Sequence, residues 1–154
     1  MAHVVSIVYR PRNAGIPRPQ DRYTRVALER ARLVEFQGIE GDAKGGSGDR
    51  QVNVMCAEML EQLAGEGFKA RPGELGEQLI IAGIAADALE TGARLRAGGA
   101  VLEVTVPRTG CARFEMIQGK PKQAAKGRLG VLTKVVTGGE VAVGDPVELL
   151  PADG

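Results

Sequence analysis

A chain of 154 residues, 44% apolar and 25% charged, has the composition of an ordinary folded domain and needs no metal or disulfide to hold it together. Its net charge of +1 gives no global pull toward nucleic acid or an anionic membrane, and 3% aromatic residues without Trp argue against stacked single strands. Two cysteines, no apolar run of the roughly 20 residues that span a bilayer, and no signal-like apolar stretch at the N-terminus point to a reducing, cytoplasmic setting.

Val4 to Tyr9 is mostly β-branched or aromatic and predicts a strand, after which the Pro and Gly of Arg10 to Pro19 predict a surface loop. A second extended stretch, Val26 to Phe36, ends at Gly38, where glycines crowd the chain as far as Gly48 and predict another loop. Val52, Val54 and Met55 suggest a short buried strand. Met59, Leu60, Leu63 and Ala64 recur at helical spacing and stop at Gly65 and Gly67, which predicts a helix of about two to three turns. Leu79 to Ile81 is a brief apolar run. Ala93 to Ala97 and Ala100 to Val106, joined by Gly98 and Gly99, read as a hairpin. Its second strand sets Leu102, Val104 and Val106 on a dry face and Val101, Glu103 and Thr105 on a wet one. Leu129 to Val136, Gly138 with Gly139, and Val141 to Leu150 repeat the strand, turn, strand pattern, and the last residues are expected to fray.

Many short strands, frequent glycine turns and few helices predict a mainly β fold, a closed or nearly closed β-barrel, because closure removes unpaired edges. A β-sandwich is the structural alternative. With no repeat, low-complexity segment or linker, a single domain over residues 1–154 is expected.

The most distinctive segment is Pro107 to Arg113, which places Cys111 just past a strand end between Arg108 and Arg113. A free thiol of pKa about 8.5 is only roughly 3% thiolate at pH 7, and a fall of roughly 1.5 units beside fixed positive charge makes it about half. A helix over Ala112 to Gln118 would add the pull of its N-terminus on an anion. The competing reading is a cysteine buried as a small hydrophobe.

The glycine-rich run from Gly38 to Arg50 can turn backbone amides toward an anion that Lys44 and Arg50 neutralise, although it lacks the P-loop order; the plainer reading is a solvated hairpin loop. In Pro72 to Leu79, Glu74 and Glu77 are either an acid and base pair or, the commoner case for loop carboxylates, simply solvated. Between Arg108 and Lys134 the basic residues Arg108, Arg113, Lys120, Lys122, Lys126, Arg128 and Lys134 face one acid, Glu115. That asymmetry favours an anionic ligand beside Cys111, with a solvated face as the alternative. The single histidine, His3, excludes a multi-histidine metal site and leaves little basis for a nucleophile and histidine pair.

Taken in order, Gly38 to Asp42 with Arg50, Pro72 to Leu79, and Arg108 to Cys111 resemble the hallmarks of MOSC domains (molybdenum cofactor sulfurase C-terminal domains), and the resemblance runs from about Gly38 to Leu150. It implies a barrel of the pyruvate-kinase type, binding of molybdenum cofactor (molybdopterin), and a cysteine that carries persulfide sulfur or ligates molybdenum. Carried over by position, Cys111 is the sulfur carrier or metal ligand. On the same resemblance, Arg108, Arg50, Lys44, Arg113 and the backbone around Gly41 and Asp42 would form the cofactor pocket. Three departures stand out: Lys44 for a usual His, Gln78 for a usual Asn, and Gly110 for a usual Pro, the last loosening the approach to Cys111. The resemblance also implies a partner, either a pyridoxal-phosphate cysteine desulfurase or an electron-transfer protein. The alternatives are a molybdenum-dependent reductase of N-hydroxylated compounds, or a non-catalytic anion-binding β-barrel module with a structural Cys111.

Overall fold

The computed structural model describes residues 2–11, 25–42, 46, 48, 50–110 and 112–151, the side chains of 112 and 113 excepted. In chain order the elements are β1 (His3–Tyr9), β2 (Val26–Leu28), β3 (Arg30–Val34), β4 (Gly38–Ile39), β5 (Val52–Cys56), α1 (Ala57–Gly65), β6 (Leu79–Ala82), β7 (Arg94–Ala97), β8 (Ala100–Pro107), α2 (Ala112–Gln118), β9 (Val131–Thr137), β10 (Gly139–Ala142) and β11 (Val147–Leu149). Two short 3-10 helices, Ala86–Ala88 and Lys122–Ala125, complete them. The fold is mainly β with few helices, as the strand and turn pattern predicts. Most of the loop from Arg10 to Pro19, much of the glycine-rich run and the last three residues lie outside the described residues.

No sheet closes into a barrel, contrary to expectation. One sheet runs β11-β7-β8-β9-β5-β6-β1-β2, and a second runs β10-β3-β4. β1 meets the corner before β11 through three backbone bonds: Val4 N to Asp145 O (2.9 Å), Gly144 N to Val4 O (2.8 Å) and Val147 N to Ala2 O (3.1 Å). The pairing there is an isolated bridge between His3 and Pro146. Proline has no N–H with which to extend that bridge into a ladder.

The two sheets bury one core between them. Val4, Ile7, Val54, Leu102 and Val135 of the larger sheet and Leu33, Ile39 and Val141 of the smaller one belong to a single buried cluster. The hairpin at Gly98 and Gly99 forms as expected, with Ala97 opposite Ala100. Gly138 and Gly139 do not make a second hairpin: β9 pairs in the larger sheet, while β10 crosses to pair with β3 and β11 returns to pair with β7. The dry face of β8 also stops short. Leu102 and Val104 are buried, but the register against β9 shifts between Val104 and Val106 and turns Val106 outward. The extended stretch from Val26 is likewise two strands, β2 and β3, one in each sheet.

β5 is the strand on which the rest of the molecule turns. Val52, Val54 and Cys56 face the core between the sheets, whereas Met55 faces a second cluster formed with Leu60, Leu63, Phe68, Leu75, Ile80, Phe114 and Leu129. Strand alternation puts Asn53 on that second face, where the helices and the functional motifs gather.

Candidate functional site

The scaffold of the site starts at the end of α1. Gly67 has φ +94°, Gly67 N bonds Ala64 O (3.1 Å) and Phe68 N bonds Leu63 O (3.1 Å), the paired bonds of a Schellman stop. The reversal drives Phe68 back onto Leu63, and burying such side chains stabilises by roughly 1.5–3 kcal/mol each. Phe68 in turn meets the ring of fully buried Phe114 at 6.4 Å between centroids and so seats α2. At the other end of α2, Gln118 clamps the 69–74 segment: its Oε1 accepts from Lys69 N (2.7 Å), and its Nε2 donates to Lys69 O (2.9 Å) and Glu74 O (3.3 Å).

A side chain of α2 also holds the next element. Glu115 Oε2 accepts from Lys122 N (2.9 Å), satisfying an orphan amide at the start of the 3-10 helix Lys122–Ala125. Beyond it, Arg128 binds Glu66 with both terminal nitrogens (2.5 and 2.8 Å). That pairing lowers the Glu66 carboxyl from its usual value, through the hydrogen bond first and charge second. Between the 108–110 segment and the 3-10 helix lies a hollow of about 310 Å³, walled by Arg108, Thr109, Gly110, Lys122, Lys126 and Leu129 among others. The basic run therefore divides. Arg128 is tied to Glu66 and Lys134 to Glu103, whereas Lys122 and Lys126 form no ion pair among the described residues and stand in the wall with Arg108.

The turn at 72–78 joins the other motifs to this hollow. Gly73 and Gly76 take φ values of +86° and +85°, which favour glycine. Glu77 is fully buried and accepts from Gly73 N (2.8 Å) and Leu75 N (3.1 Å), so it is not a solvated loop carboxylate. Burial pushes its carboxyl above the usual range; the amide bonds and the charge of Arg108 pull the other way without overcoming it. On one side, Arg108 Nη1 donates to Leu75 O. On the other, Gln78 Nε2 donates to Asp42 Oδ2 while Gln78 Oε1 accepts from Asn53 N (3.0 Å). Asn53 Nδ2 bonds Gly76 O (3.1 Å), and its buried Oδ1 has no hydrogen-bond partner among the described residues.

Arg108, Gly41 and Asp42 are thus brought to one connected framework. Asp42 is fully buried, its Oδ1 accepting from Arg10 N (3.2 Å), and Gly41 is exposed beside it with φ +82°. Arg50 is exposed at the end of the glycine-rich run. Cys111 and Lys44 lie outside the described residues, as does the side chain of Arg113; α2 does begin at Ala112, the residue after Cys111. Phe114, Lys122 and Leu129 occupy the space that a Cβ on Gly110 would enter. Among the described residues there is no group of three or more His, Cys, Asp or Glu arranged to hold a metal, and no helix is long and apolar enough to cross a membrane. Asn53, Gln118 and the buried role of Glu77 escaped sequence reading, since polar residues in strands and loops carry no signature of burial.

A family model described as the MOSC domain matches residues 41–148. The chain belongs to the MOSC domain family. Three solved structures share this MOSC fold. YiiM from Geobacillus stearothermophilus aligns with TM-score 0.74 at 18% identity, covering 98% of this chain and 76% of its own. YiiM from Escherichia coli gives 0.72 at 23%, covering 98% and 70%, and the YuaD protein from Bacillus subtilis gives 0.73 at 21%, covering 97% and 96%. At these identities the likeness speaks for the fold alone. No curated protein matches the chain.

Proposed function

We propose that this MOSC domain binds an anionic ligand of the molybdenum-cofactor class in the basic hollow and presents the sulfur of Cys111 to it. One observation carries the reading. The three motif segments are hydrogen-bonded together through the 72–78 turn, and the last of them supplies Arg108 to a wall that also holds Lys122 and Lys126. Three cations around one cavity, in a chain of net charge +1, concentrate positive potential where a phosphate can be held.

The donor set suits the anionic part of such a cofactor. Arg108, Lys122 and Lys126 would hold the phosphate, Arg50 and the amides near Gly41 would serve the rest of the cofactor, and Cys111 would be this chain's sulfur toward a thiophilic metal. The bound group would supply atom transfer and two-electron redox chemistry. Asp42 and Glu77 act on the framework: they fix the turn that positions Arg108.

As a carrier, Cys111 works by thiolate exchange. Its thiolate attacks the outer sulfur of a donor persulfide, R–S–SH; the donor S–S bond breaks and R–S⁻ departs, while the new S–S bond on Cys111 retains the hydrogen. A pyridoxal-phosphate cysteine desulfurase on another chain is the class of donor that supplies such sulfur. The test is intact-mass analysis of protein treated with a small-molecule persulfide, with molybdenum and pterin measured on the freshly purified sample. One extra sulfur on wild type and Cys56→Ser, and none on Cys111→Ser, is expected. Failure to take up sulfur in a sample that also lacks molybdenum and pterin contradicts the reading.

A further inference from the structure

The backbone at Gly110 takes no left-handed conformation, so glycine is not required there for its torsional freedom. What the position requires is space. A Cβ on residue 110 would lie 2.8 Å from Lys122 Cβ, 3.2 Å from Phe114 Cδ1 and 3.5 Å from Leu129 Cδ1. Carbon pairs settle at roughly 3.5–4.0 Å, so the first approach cannot stand. Phe114 is fully buried against Phe68, and Leu129 is buried in the same cluster, so neither can withdraw. The Lys122 Cβ is bonded to the 3-10 backbone and cannot swing aside as a lysine tip would. The element that gives is the 3-10 helix itself, held by the Glu115 bond to Lys122 N and by Arg128 on Ala124 O.

We infer that Gly110 is the specificity-determining residue of the hollow: its missing side chain lets the 3-10 helix close on the 108–110 segment, so that Arg108, Lys122 and Lys126 together hold a phosphate monoester. This rests on the anion-binding reading above. A residue with a Cβ at 110 would push Lys122 and Lys126 away from Arg108 and trade a three-cation wall for a wider, weaker one.

The experiment is an NMR titration with inorganic phosphate, following the amides of Thr109, Lys126 and Gly127 in wild type, Gly110→Ala, Lys126→Gln, Lys122→Gly and the double variant Lys122→Gly with Gly110→Ala. Gly110→Ala keeps every charge, yet its phosphate Kd should rise about tenfold, equivalent to 1.4 kcal/mol. Lys122→Gly removes both an ammonium group and the obstructing Cβ; adding Gly110→Ala to it should change Kd by less than about twofold, the non-additivity of neighbours in contact. Should Gly110→Ala fold poorly, as urea unfolding would reveal, the unfolding midpoint of the double variant carries the test: recovery to that of Lys122→Gly is expected once the Lys122 Cβ is gone, and no recovery overturns the role of Gly110. Gly110→Ala binding phosphate as wild type does while Lys126→Gln weakens it overturns the role of Gly110 and leaves the anion site standing. Phosphate binding that neither lysine substitution weakens removes the anion site and this inference with it.

Discussion

Replacing Asp42 with Ala probes the framework beneath the site without touching the hollow. The carboxylate is fully buried and accepts from Arg10 N at 3.2 Å and from Gln78 Nε2, so its removal leaves at least two donors without an acceptor. A hydrogen bond to a charged group contributes roughly 1.5–3 kcal/mol, and relief of the carboxylate's own burial offsets part of the two, leaving a net loss of about 3 kcal/mol. Urea m-values for small domains are about 1–3 kcal/mol/M, so the unfolding midpoint should fall by roughly 1–3 M. Asp42→Asn should fall between the two proteins, because its amide can serve Arg10 N but sets a donor against Gln78 Nε2. Gln78 also holds Asn53 N, so a loosened Gln78 frees the turn whose Leu75 carbonyl holds Arg108, and phosphate binding should weaken in Asp42→Ala as well. A loss under about 0.5 kcal/mol, the range of surface substitutions, refutes the claim that this carboxylate fastens the glycine-rich segment to the turn.

Glu77→Gln should change how stability responds to pH. Burial raises the folded-state carboxyl of Glu77 above its ordinary 4.5, so the folded chain holds that proton more tightly than the unfolded one. Wild type should therefore gain stability relative to Glu77→Gln as pH falls through the raised value, with the gain complete below 4.5; a pH-independent difference in urea unfolding contradicts this. Arg108→Lys keeps the charge but not the reach to Leu75 O. Thermal unfolding should show a loss of about 1 kcal/mol, with phosphate affinity lowered in the same protein. Gln118→Ala removes the double clamp on Lys69 and should cost about 2 kcal/mol by urea unfolding, with hydrogen exchange accelerated in the 69–74 segment.

Periodicity made much of the fold legible. The strand from Val4, the helix ending at Gly65 and the hairpin at Gly98 and Gly99 declare themselves because local pattern and turn chemistry agree with the final packing. The sheet crossing at Gly138 and Gly139 does not, since glycine pairs between strands look alike whether the chain turns back or changes partner. Nor does the failure to close: Pro146 stops the bridge to His3 only because of where tertiary structure sets it. At the site, the order of three motifs revealed the family and picked out Arg108. Glu77 reads as a solvated loop carboxylate until its two amide donors appear, and the packing of Lys122 beside Gly110 leaves no mark in the sequence.

Under the proposed function, Cys111 works as a thiolate in the field of the hollow's cations. The direct measurement is the rate of iodoacetamide alkylation against pH in Cys56→Ser, the second thiol being dispensable here because burial pushes Cys56 up to about 11. The midpoint should lie below the free-thiol value of about 8.5 and rise when inorganic phosphate is added, but not in the same protein carrying Lys126→Gln. A midpoint at or above the free-thiol value, indifferent to phosphate, would show that the cysteine and the cationic hollow do not act together.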